Sequence, residues 1–212
     1  FRDILHPERI FILSPNKVFG DYIKDVLPEL GEEPIRSFTL DELTRNLLPA
    51  ELTFTTFEDE TRALISDPTG ELAVRARIKG DYRFVQMLQT YLHDLDLKLL
   101  KQESISIAGT TFLSEDLQRL FLKYRKEPVV TRLELMADDM LHVLKAKGNL
   151  DGTLPGKNEI RKRLQKRLLY PSPLAIYREF IETLGKGMVQ FASKHFEFQD
   201  VYPYLYVQLY FQ

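Results

Sequence analysis

The sequence predicts an α+β fold that is mainly helical, with a partial α/β subdomain and a small β-hairpin. Residues 9–13 form a mostly apolar run that passes through Ser-Pro-Asn into an amphipathic helix, and this is the basic unit of a nucleotide-binding α/β sheet. Apolar residues recur at helical spacing in most later segments. Ile105 and Ile107 alternate with polar residues before an Ala-Gly turn, which is the pattern of a β-hairpin.

The first strand and helix have clear predicted boundaries. Residues 9–13 are apolar and β-branched enough for a strand that is buried on both faces, as in a parallel sheet. Pro15 ends the strand because it has no N–H group, and Asn16 is a favourable N-cap. Apolar residues over 18–30 then recur at helical spacing, and Gly31 stands where a C-terminal glycine belongs.

Capping boxes predict three further helix starts. The pairs are Thr39 with Glu42, Thr55 with Glu58, and Thr131 with Glu134. The first box follows a short predicted strand at 35–38 and starts a helix that continues to about residue 48. The second starts a helix that ends near residue 65, before a turn at 67–70. After the third, one helical face carries Leu133, Met136, Met140, Leu141 and Leu144 and is expected to end at Gly148.

The remaining helices are predicted from apolar spacing and from proline and serine positions. A long amphipathic helix is expected over residues 84–99, and Ser114 is expected to cap the helix after the hairpin. Residues 159–169 predict a basic helix. Ser172 and Pro173 begin the next helix, which is expected to end at Gly185. Pro203 is expected to open a terminal aromatic helix.

The composition limits the class of protein. A chain of 212 residues with 44% hydrophobic and 28% charged residues can bury a core and form one or two small domains. The net charge of −2 argues against a broad basic DNA-binding face. The sequence has no cysteine, which excludes disulfides and thiolate metal sites and fits a cytosolic bacterial protein. No apolar run approaches the roughly 20 residues needed to span a membrane.

Several segments carry a resemblance to a known family. Residues 12–19 (Ile-Leu-Ser-Pro-Asn-Lys-Val-Phe), with 21–23 and 26–32, resemble the segment after the phosphate loop in HelD-type superfamily I helicase-like proteins, a UvrD/Rep-like group that includes DNA helicase IV. Parts of the inserted segment that interrupts the first motor domain of this family are similar to residues 76–84, 107–114 and 128–133. Residues 200–206 (Asp-Val-Tyr-Pro-Tyr-Leu-Tyr) resemble the helix before its Walker B strand.

The resemblance implies a domain organisation and a function. Residues 1–50 would be a segment of the RecA-like motor subdomain 1A around motif Ia, residues 51–170 an inserted helical arm, and residues 171–212 the return to subdomain 1A. The family is expected to use its arm to enter the main channel of core RNA polymerase and to help release nucleic acid from stalled polymerase. ATP and Mg²⁺ would be cofactors of the full-length parent. The expected location is the cytoplasm, with RNA polymerase as the partner, DNA as a possible partner, and no membrane.

Two motifs of ATP chemistry are absent from the printed sequence. It contains no G-x-x-x-x-G-K-S/T phosphate loop, and the nearest match, Gly156-Lys157-Asn158, lacks the hydroxyl that would hold magnesium. No apolar strand ends in Asp-Glu. We therefore expect a piece of a larger motor, between Walker A and Walker B, that holds no cofactor of its own and is inactive as an ATPase alone.

The turn after the first strand is the first candidate site. A helix N-terminus offers N–H groups and a favourable dipole to phosphate, so Ser14, Asn16 and Lys17 are candidates for contact with a nucleic-acid backbone. The alternative is that Asn16 only caps the helix. By resemblance, Ser37 and Phe38 stand where related helicases have another strand-contacting motif, although capping alone explains Thr39.

Clusters of basic and of acidic residues are the other candidate sites. The densest basic cluster comprises Lys157, Arg161, Lys162, Arg163, Lys166 and Arg167. Such a helix could bind nucleic acid or an acidic protein surface, or it could be a solvated face; no aromatic residue is interleaved, so base stacking is not predicted. The acidic clusters are Glu58-Asp59-Glu60, Glu115-Asp116 and Asp138-Asp139. They could mimic nucleic acid inside a polymerase channel, or serve as helix N-terminal and surface charges.

The sequence predicts no catalytic and no metal-binding residue. The four histidines are dispersed, and none shows a nucleophile or ligand pattern. Two function classes follow: an arm that binds RNA polymerase, and a single-stranded-DNA-contacting segment of a DNA-tracking superfamily I helicase. The mild acidity and the size of the insertion favour the first class.

Overall fold

The computed structural model describes residues 9–33, 35–147, 154–184 and 195–212. The chain forms two compact units: a first unit from Phe1–Gly70 and Ala192–Val201, and a second unit from Glu71–Phe191 and Tyr202–Gln212. The described part is mainly helical with small two-stranded sheets, which confirms the predicted mainly helical α+β class.

The first unit opens with two strand–helix pairs. They are β1 (Phe11–Ser14), α1 (Lys17–Glu29), β2 (Arg36–Thr39) and α2 (Leu40–Leu47). Strands β1 and β2 are parallel, and Ser14 pairs with Thr39 at their carboxyl ends. The predicted strand–turn–helix unit and the short second strand are therefore present.

The expectation that the first strand is buried on both faces is wrong. Ser14 is buried, whereas the side chains of Phe11 and Leu13 are each 53% exposed. Among the described residues β1 pairs with β2 alone, and α1 packs on the face that carries Ser14, next to Gly20. The opposite face is covered only in part, by an edge-to-face contact between the rings of Phe11 and Phe38.

The predicted caps of α1 and α2 are confirmed. The Asn16 side chain accepts a hydrogen bond from the Phe19 amide at 2.9 Å, and Gly31 has a positive φ of 75° at the other end of α1. At α2, the Thr39 amide donates to Glu42 Oε2 at 2.9 Å, and the Glu42 amide donates to Thr39 Oγ1 at 3.2 Å. These reciprocal bonds form the predicted capping box.

The rest of the first unit joins segments from both ends of the chain. Strand β3 (Thr53–Phe54) pairs in parallel with β6 (His195–Phe196), which the sequence did not predict. Helix α3 (Phe57–Ser66) is capped by Thr56, not by Thr55 as predicted. The reason is that the Thr55 amide donates to the Phe196 carbonyl at 2.8 Å, so Thr55 still belongs to the strand pairing and the helix begins one residue later.

The second unit contains a bundle of helices and the predicted hairpin. Its helices are α4 (Glu71–Lys79), α5 (Tyr82–Leu95), α6 (Ser114–Lys123), α7 (Val129–Ala146), α8 (Lys157–Gln165) and α9 (Pro173–Thr183), and α10 (Phe198–Phe211) supplies its final turns. The hairpin is β4 (Ile105–Ile107) with β5 (Thr110–Phe112), paired antiparallel as predicted. The core includes Leu88, Phe121, Met136, Met140 and Phe180, all buried.

Several predicted helix boundaries in the second unit are wrong. Ser114 and Thr131 are helical residues rather than caps, because Leu113 and Pro128 are the extended residues that precede α6 and α7. The predicted helices over 84–99 and 159–169 end early, at Leu95 and Gln165, and Leu100 and Leu168 beyond these ends form an antiparallel bridge. Helix α4 was not predicted because its buried face carries the small residues Ala73 and Ala76.

Pro203 lies inside α10 instead of opening it. The helix begins five residues earlier because carboxylates satisfy its first amides. Glu60 accepts from the Phe198 amide at 2.5 Å, and Asp200 accepts from the Glu197 amide at 3.0 Å. The Ser172 cap and the Pro173 start of α9 are confirmed. The predicted helix ends at Gly148 and Gly185 lie outside the described residues.

The boundaries of the two units differ from those predicted at residues 50 and 170. The first unit extends to Gly70 and regains only Ala192–Val201, while residues 202–212 belong to the second unit. The assignment of these parts to a motor and an arm stays a prediction. None of the helices in the described ranges is long and apolar enough to cross a lipid bilayer.

Candidate functional site

The carboxyl ends of β1 and β2 form the candidate site in the first unit. Ser14 and Thr39 are paired there, and α1 and α2 begin at Lys17 and Leu40, directly after the two strands. Two helix N-termini therefore lie at one edge of a parallel pair. This edge is where open α/β sheets place their ligands, and the helix dipoles favour a negative charge.

Gly20 allows α1 to approach the sheet closely beside the two serines. A Cβ atom at Gly20 would lie 2.6 Å from Ser37 Oγ and 3.2 Å from Ser14 Oγ, so no larger residue fits without displacing them. Ser14 is buried and donates its hydroxyl hydrogen to the Asn16 carbonyl. The sequence reasoning missed Gly20. The available signal was a single glycine among the large apolar residues of an amphipathic helix.

A cavity of about 390 Å³ lies over these residues. It is lined by Ser14, Lys17, Gly20, Asp21, Lys24, Ile35, Arg36, Ser37, Phe38, Thr39 and Glu42. Three cationic side chains and two carboxylates thus surround two serine hydroxyls. The hydrogen bond from the Thr39 amide lowers the pKa of Glu42, with a smaller contribution from the charge of Lys17. Glu42 is therefore ionised at neutral pH, and it offsets part of the positive charge.

The structure separates the five predicted nucleic-acid contacts. Ser14, Lys17, Ser37 and Phe38 line the cavity, whereas Asn16 does not. Asn16 Oδ1 is engaged by the Phe19 amide, which favours the alternative that Asn16 caps the helix. The ring of Phe38 packs edge-to-face against Phe11 on the other face of the sheet, at a centroid distance of 6.1 Å.

A second cavity of about 600 Å³ adjoins the turn. Its lining includes Leu13, Pro15, Asn16, Phe57 and Phe198. The rings of Phe57 and Phe198 contact each other edge-to-face at a centroid distance of 5.2 Å, and the Phe57 side chain is 57% exposed. An aromatic surface therefore lies next to the helix N-terminus in the same unit, which the sequence reasoning did not foresee because the two rings are far apart in the chain.

The predicted basic cluster is partly neutralised. Lys157 Nζ lies 2.6 Å from Asp138 Oδ2, and Arg163 Nη2 lies 2.6 Å from Glu159 Oε1. The Arg167 guanidinium pairs with Glu103. Arg161 is half-buried, and its Nε has no hydrogen-bond partner in the part of the chain that is described. Lys162 and Lys166 are exposed.

The predicted acidic clusters are also paired. Asp116 Oδ1 lies 2.6 Å from Arg119 Nη2, Asp138 pairs with Lys157, and Asp139 Oδ2 accepts from Lys123 Nζ at 2.8 Å and from the Tyr124 hydroxyl at 2.7 Å. Burial raises the pKa of Asp139, but the hydrogen bonds from Lys123 and Tyr124 outweigh it and hold the pKa below its usual value. Asp139 therefore stays charged beside its own cation.

The acidic clusters at 58–60 and 115–116 are largely explained by their positions in the first turns of helices. Glu58, Asp59 and Glu115 are in the first turns of α3 and α6, where the helix dipole favours carboxylates. Glu58 Oε1 lies 2.9 Å from Arg62 Nη2. Because most of these carboxylates are paired or cap a helix, the geometry gives little support to a nucleic-acid mimic.

A buried polar cluster in the second unit was not predicted. Arg132 is 2% exposed and donates from Nη1 to Asp96 Oδ1 at 2.6 Å, from Nε to the Glu127 carbonyl at 2.6 Å, and from Nη2 to the Arg125 carbonyl at 2.8 Å. Tyr210 also donates to Asp96. Burial, and then the hydrogen bond to Asp96, raise the pKa of Tyr210. These donors and acceptors, which belong to five residues, bond to one another, so the cluster is structural.

Within the described ranges, no group of three or more histidine, aspartate or glutamate side chains is arranged to hold a metal ion. His93 lines a cavity of about 400 Å³ together with Asp96, Glu127 and Arg132.

No family model matches this chain, and no curated protein is significantly similar to it. The relationship to HelD-type proteins therefore stays a prediction from the resembling segments.

Proposed function

We propose that this chain is part of a HelD-type, UvrD/Rep-like motor in the bacterial cytoplasm. Its second unit binds core RNA polymerase and helps to release nucleic acid from stalled polymerase. The observation that supports this most directly is the parallel pairing of β3 with β6, because both strands belong to the first unit while residues 55–194 lie between them. That long connection contains most of the second unit, which has its own buried core.

The second unit has the surface expected of a protein-binding module. Leu97, Leu113 and Leu169 are exposed apolar side chains, with charged residues of both signs along the same elements. Surfaces that mix exposed apolar groups with charges are typical of transient protein–protein contacts. ATP and Mg²⁺ are proposed as cofactors of the parent, bound by motifs that the printed sequence does not contain.

The test is a binding measurement on immobilised core RNA polymerase with the whole chain. We expect saturable binding that is unchanged within about twofold by the double substitution Asn16→Ala and Lys17→Ala, because these residues lie in the first unit. No binding to the polymerase, or binding that is lost in the double variant, would contradict the proposal.

The second candidate function is contact with single-stranded DNA through the first unit. It is favoured by the cavity that joins Ser14, Lys17 and Ser37 to Lys24 and Arg36, since lysine, arginine and helix N-termini bind phosphate. The adjacent Phe57 and Phe198 rings offer a surface for base stacking.

Fluorescence anisotropy with a labelled oligonucleotide distinguishes this candidate. If it is correct, Lys17→Ala and Phe57→Ala each weaken DNA binding. Stacking on an aromatic ring contributes about 1–3 kcal/mol per base, so the Phe57 variant has the larger effect. Equal binding by both variants and the parent would reject the DNA-contacting role.

A further inference from the structure

The second unit brings together two lysine-containing segments that are distant in sequence. Leu100 and Leu168 form an antiparallel bridge, and the Lys101 amide donates to the Arg167 carbonyl at 2.8 Å. Both leucine side chains are buried. Lys101 and Arg167 are therefore opposite each other beside the bridge, and both are half-buried.

Further exposed cations lie in the same two segments of the chain. Lys162 and Lys166 are exposed and lie one helical turn apart, and Lys98 is exposed just before the bridge. We call this group the basic ridge, and its members are Lys98, Lys101, Lys162, Lys166 and Arg167.

Few carboxylates in the described part of this chain form ion pairs with the basic ridge. Arg167 pairs with Glu103, but the four lysines have no ion pair within the ranges that the structure covers. Like charges opposite each other in a strand pair, or one turn apart on a helix, destabilise the fold by a few tenths of a kcal/mol each. Local violations of this kind are expected at functional sites.

Two exposed leucines flank the basic ridge in sequence. The side chain of Leu97 is 60% exposed and that of Leu169 is 46% exposed, and they stand next to Lys98 and Leu168 in the two bridged segments. The backbone at Leu97 is held in place, because Gln118 Nε2 donates to its carbonyl at 3.1 Å. Aliphatic side chains do not provide the stacking surface that nucleic-acid bases use.

We propose that the basic ridge is a docking surface for an acidic segment of a partner protein, with Leu97 and Leu169 contacting apolar side chains of that segment. The positive charges complement carboxylates, and the leucines complement aliphatic side chains rather than bases. The proposal does not require the partner to be RNA polymerase, so it is independent of the proposed function.

The test uses the whole chain and two labelled synthetic peptides. The first peptide alternates glutamate and leucine, and the second has glutamine in place of every glutamate. We expect the glutamate peptide to bind in a salt-sensitive way and the glutamine peptide to bind at least about tenfold more weakly. The charge reversals Lys101→Glu and Lys166→Glu together should weaken binding of the glutamate peptide about tenfold, which corresponds to about 1.4 kcal/mol.

A control variant and a leucine variant test which side chains bind the glutamate peptide. Lys145→Glu makes the same charge change at an exposed position in the last turn of α7 and should leave binding within about twofold. Leu169→Ser should weaken binding without changing its salt dependence. Thermal melting of each variant verifies that it is folded.

Three outcomes would overturn the proposal. They are equal binding of the two peptides, an equal effect of Lys145→Glu and the double reversal, and failure of the glutamate peptide to bind. Binding of a single-stranded oligonucleotide that the double reversal abolishes, without binding of the glutamate peptide, would assign the ridge to nucleic acid instead.

Discussion

Arg132 is a charged side chain enclosed in the second unit, where its guanidinium joins Asp96 to the carbonyls of Arg125 and Glu127. The group also lies over the rings of Phe121 and Tyr210, at 5.1 Å and 5.5 Å from their centroids. Such a residue cannot be removed without leaving buried acceptors unpaired.

Arg132→Met should therefore destabilise the protein by about 3–5 kcal/mol, because the largely buried Asp96 carboxylate loses its cation and two carbonyls lose their donor. Chemical denaturation measures the free energy of unfolding. Arg119→Met is the matched control. The ion pair between Arg119 and Asp116 is exposed, so the free energy of unfolding should fall by less than about 1 kcal/mol. Similar losses in the two variants would contradict the structural role of Arg132.

Glu60 gives a prediction about pH. Burial raises the pKa of Glu60 above its usual value, and the hydrogen bond from the Phe198 amide offsets this only in part. A carboxyl with a raised pKa binds its proton more tightly in the folded state, so its contribution to stability falls as the pH rises from the unfolded pKa through the folded pKa.

Glu60→Gln removes this titration while keeping an oxygen for the Phe198 amide. The stability of the variant relative to the parent should increase between pH 4 and pH 8, as urea denaturation across this range would reveal. Glu58→Gln, an exposed change on the same helix, should show no such increase. A constant difference between Glu60→Gln and the parent would disprove the raised pKa.

At the scale of elements, the β4–β5 turn has a strained residue. Ala108 has a positive φ of 47° and Gly109 one of 74°, as in the two-residue turns that favour Asn-Gly. Ala108→Asn should stabilise the protein by about 1 kcal/mol, because asparagine adopts the left-handed region more readily than alanine. Differential scanning calorimetry measures the change.

A substitution at the neighbouring position tests the same explanation. Gly109→Ala should destabilise by a similar amount through the backbone alone, since an added Cβ would meet nothing within 4 Å. A melting temperature that falls for Ala108→Asn would show that the turn has another conformation.

Helix α7 contributes seven buried residues to the second unit. Met140 is 0% exposed, whereas Met87 on α5 is 46% exposed. Met140→Asp should cost several kcal/mol because it buries a charge in the core, while the matched change Met87→Asp should cost less than about 1 kcal/mol. Thermal melting compares them, and a Met140 variant that melts within a degree or two of the parent would exclude the core assignment.

The sequence predicted the local structure best where a signal is confined to a few neighbouring residues. Asn16, Thr39 and Ser172 cap helices as expected, because a cap depends only on the adjoining turn. Thr55 failed as a cap because a distant strand pairs with it. Pro203 failed as a helix start because Glu60, far away in the chain, satisfies an amide of an earlier turn.

At the scale of the whole molecule, the candidate sites were only partly predictable. Ser14, Lys17 and Ser37 follow strands that the sequence predicts, and parallel strands bring their carboxyl ends together. The basic ridge needs the bridge between Leu100 and Leu168, and no periodic pattern encodes such a long-range contact. The ion pairs that neutralise the acidic clusters also join different helices, as between Lys157 and Asp138.

The isolated chain should not hydrolyse ATP. Phosphoryl transfer needs a phosphate-binding loop and carboxylates that hold Mg²⁺, and the printed sequence contains neither motif. A coupled assay should give a rate equal to buffer alone at any Mg²⁺ concentration. ATPase activity that persists through purification and is altered by point substitutions in this chain would contradict the expectation.

The pairing of β3 with β6 has a consequence for how this protein tolerates changes of length. Because residues 54 and 196 are partners in neighbouring strands, the polypeptide between them begins and ends at adjacent points of the first unit. The entropy of closing a flexible loop grows slowly, by about 0.6 kcal/mol for each doubling of its length. Segments between these strands could thus lengthen or shorten over evolution at little cost to the pairing itself, and a foreign domain with adjacent termini could be grafted at the same position.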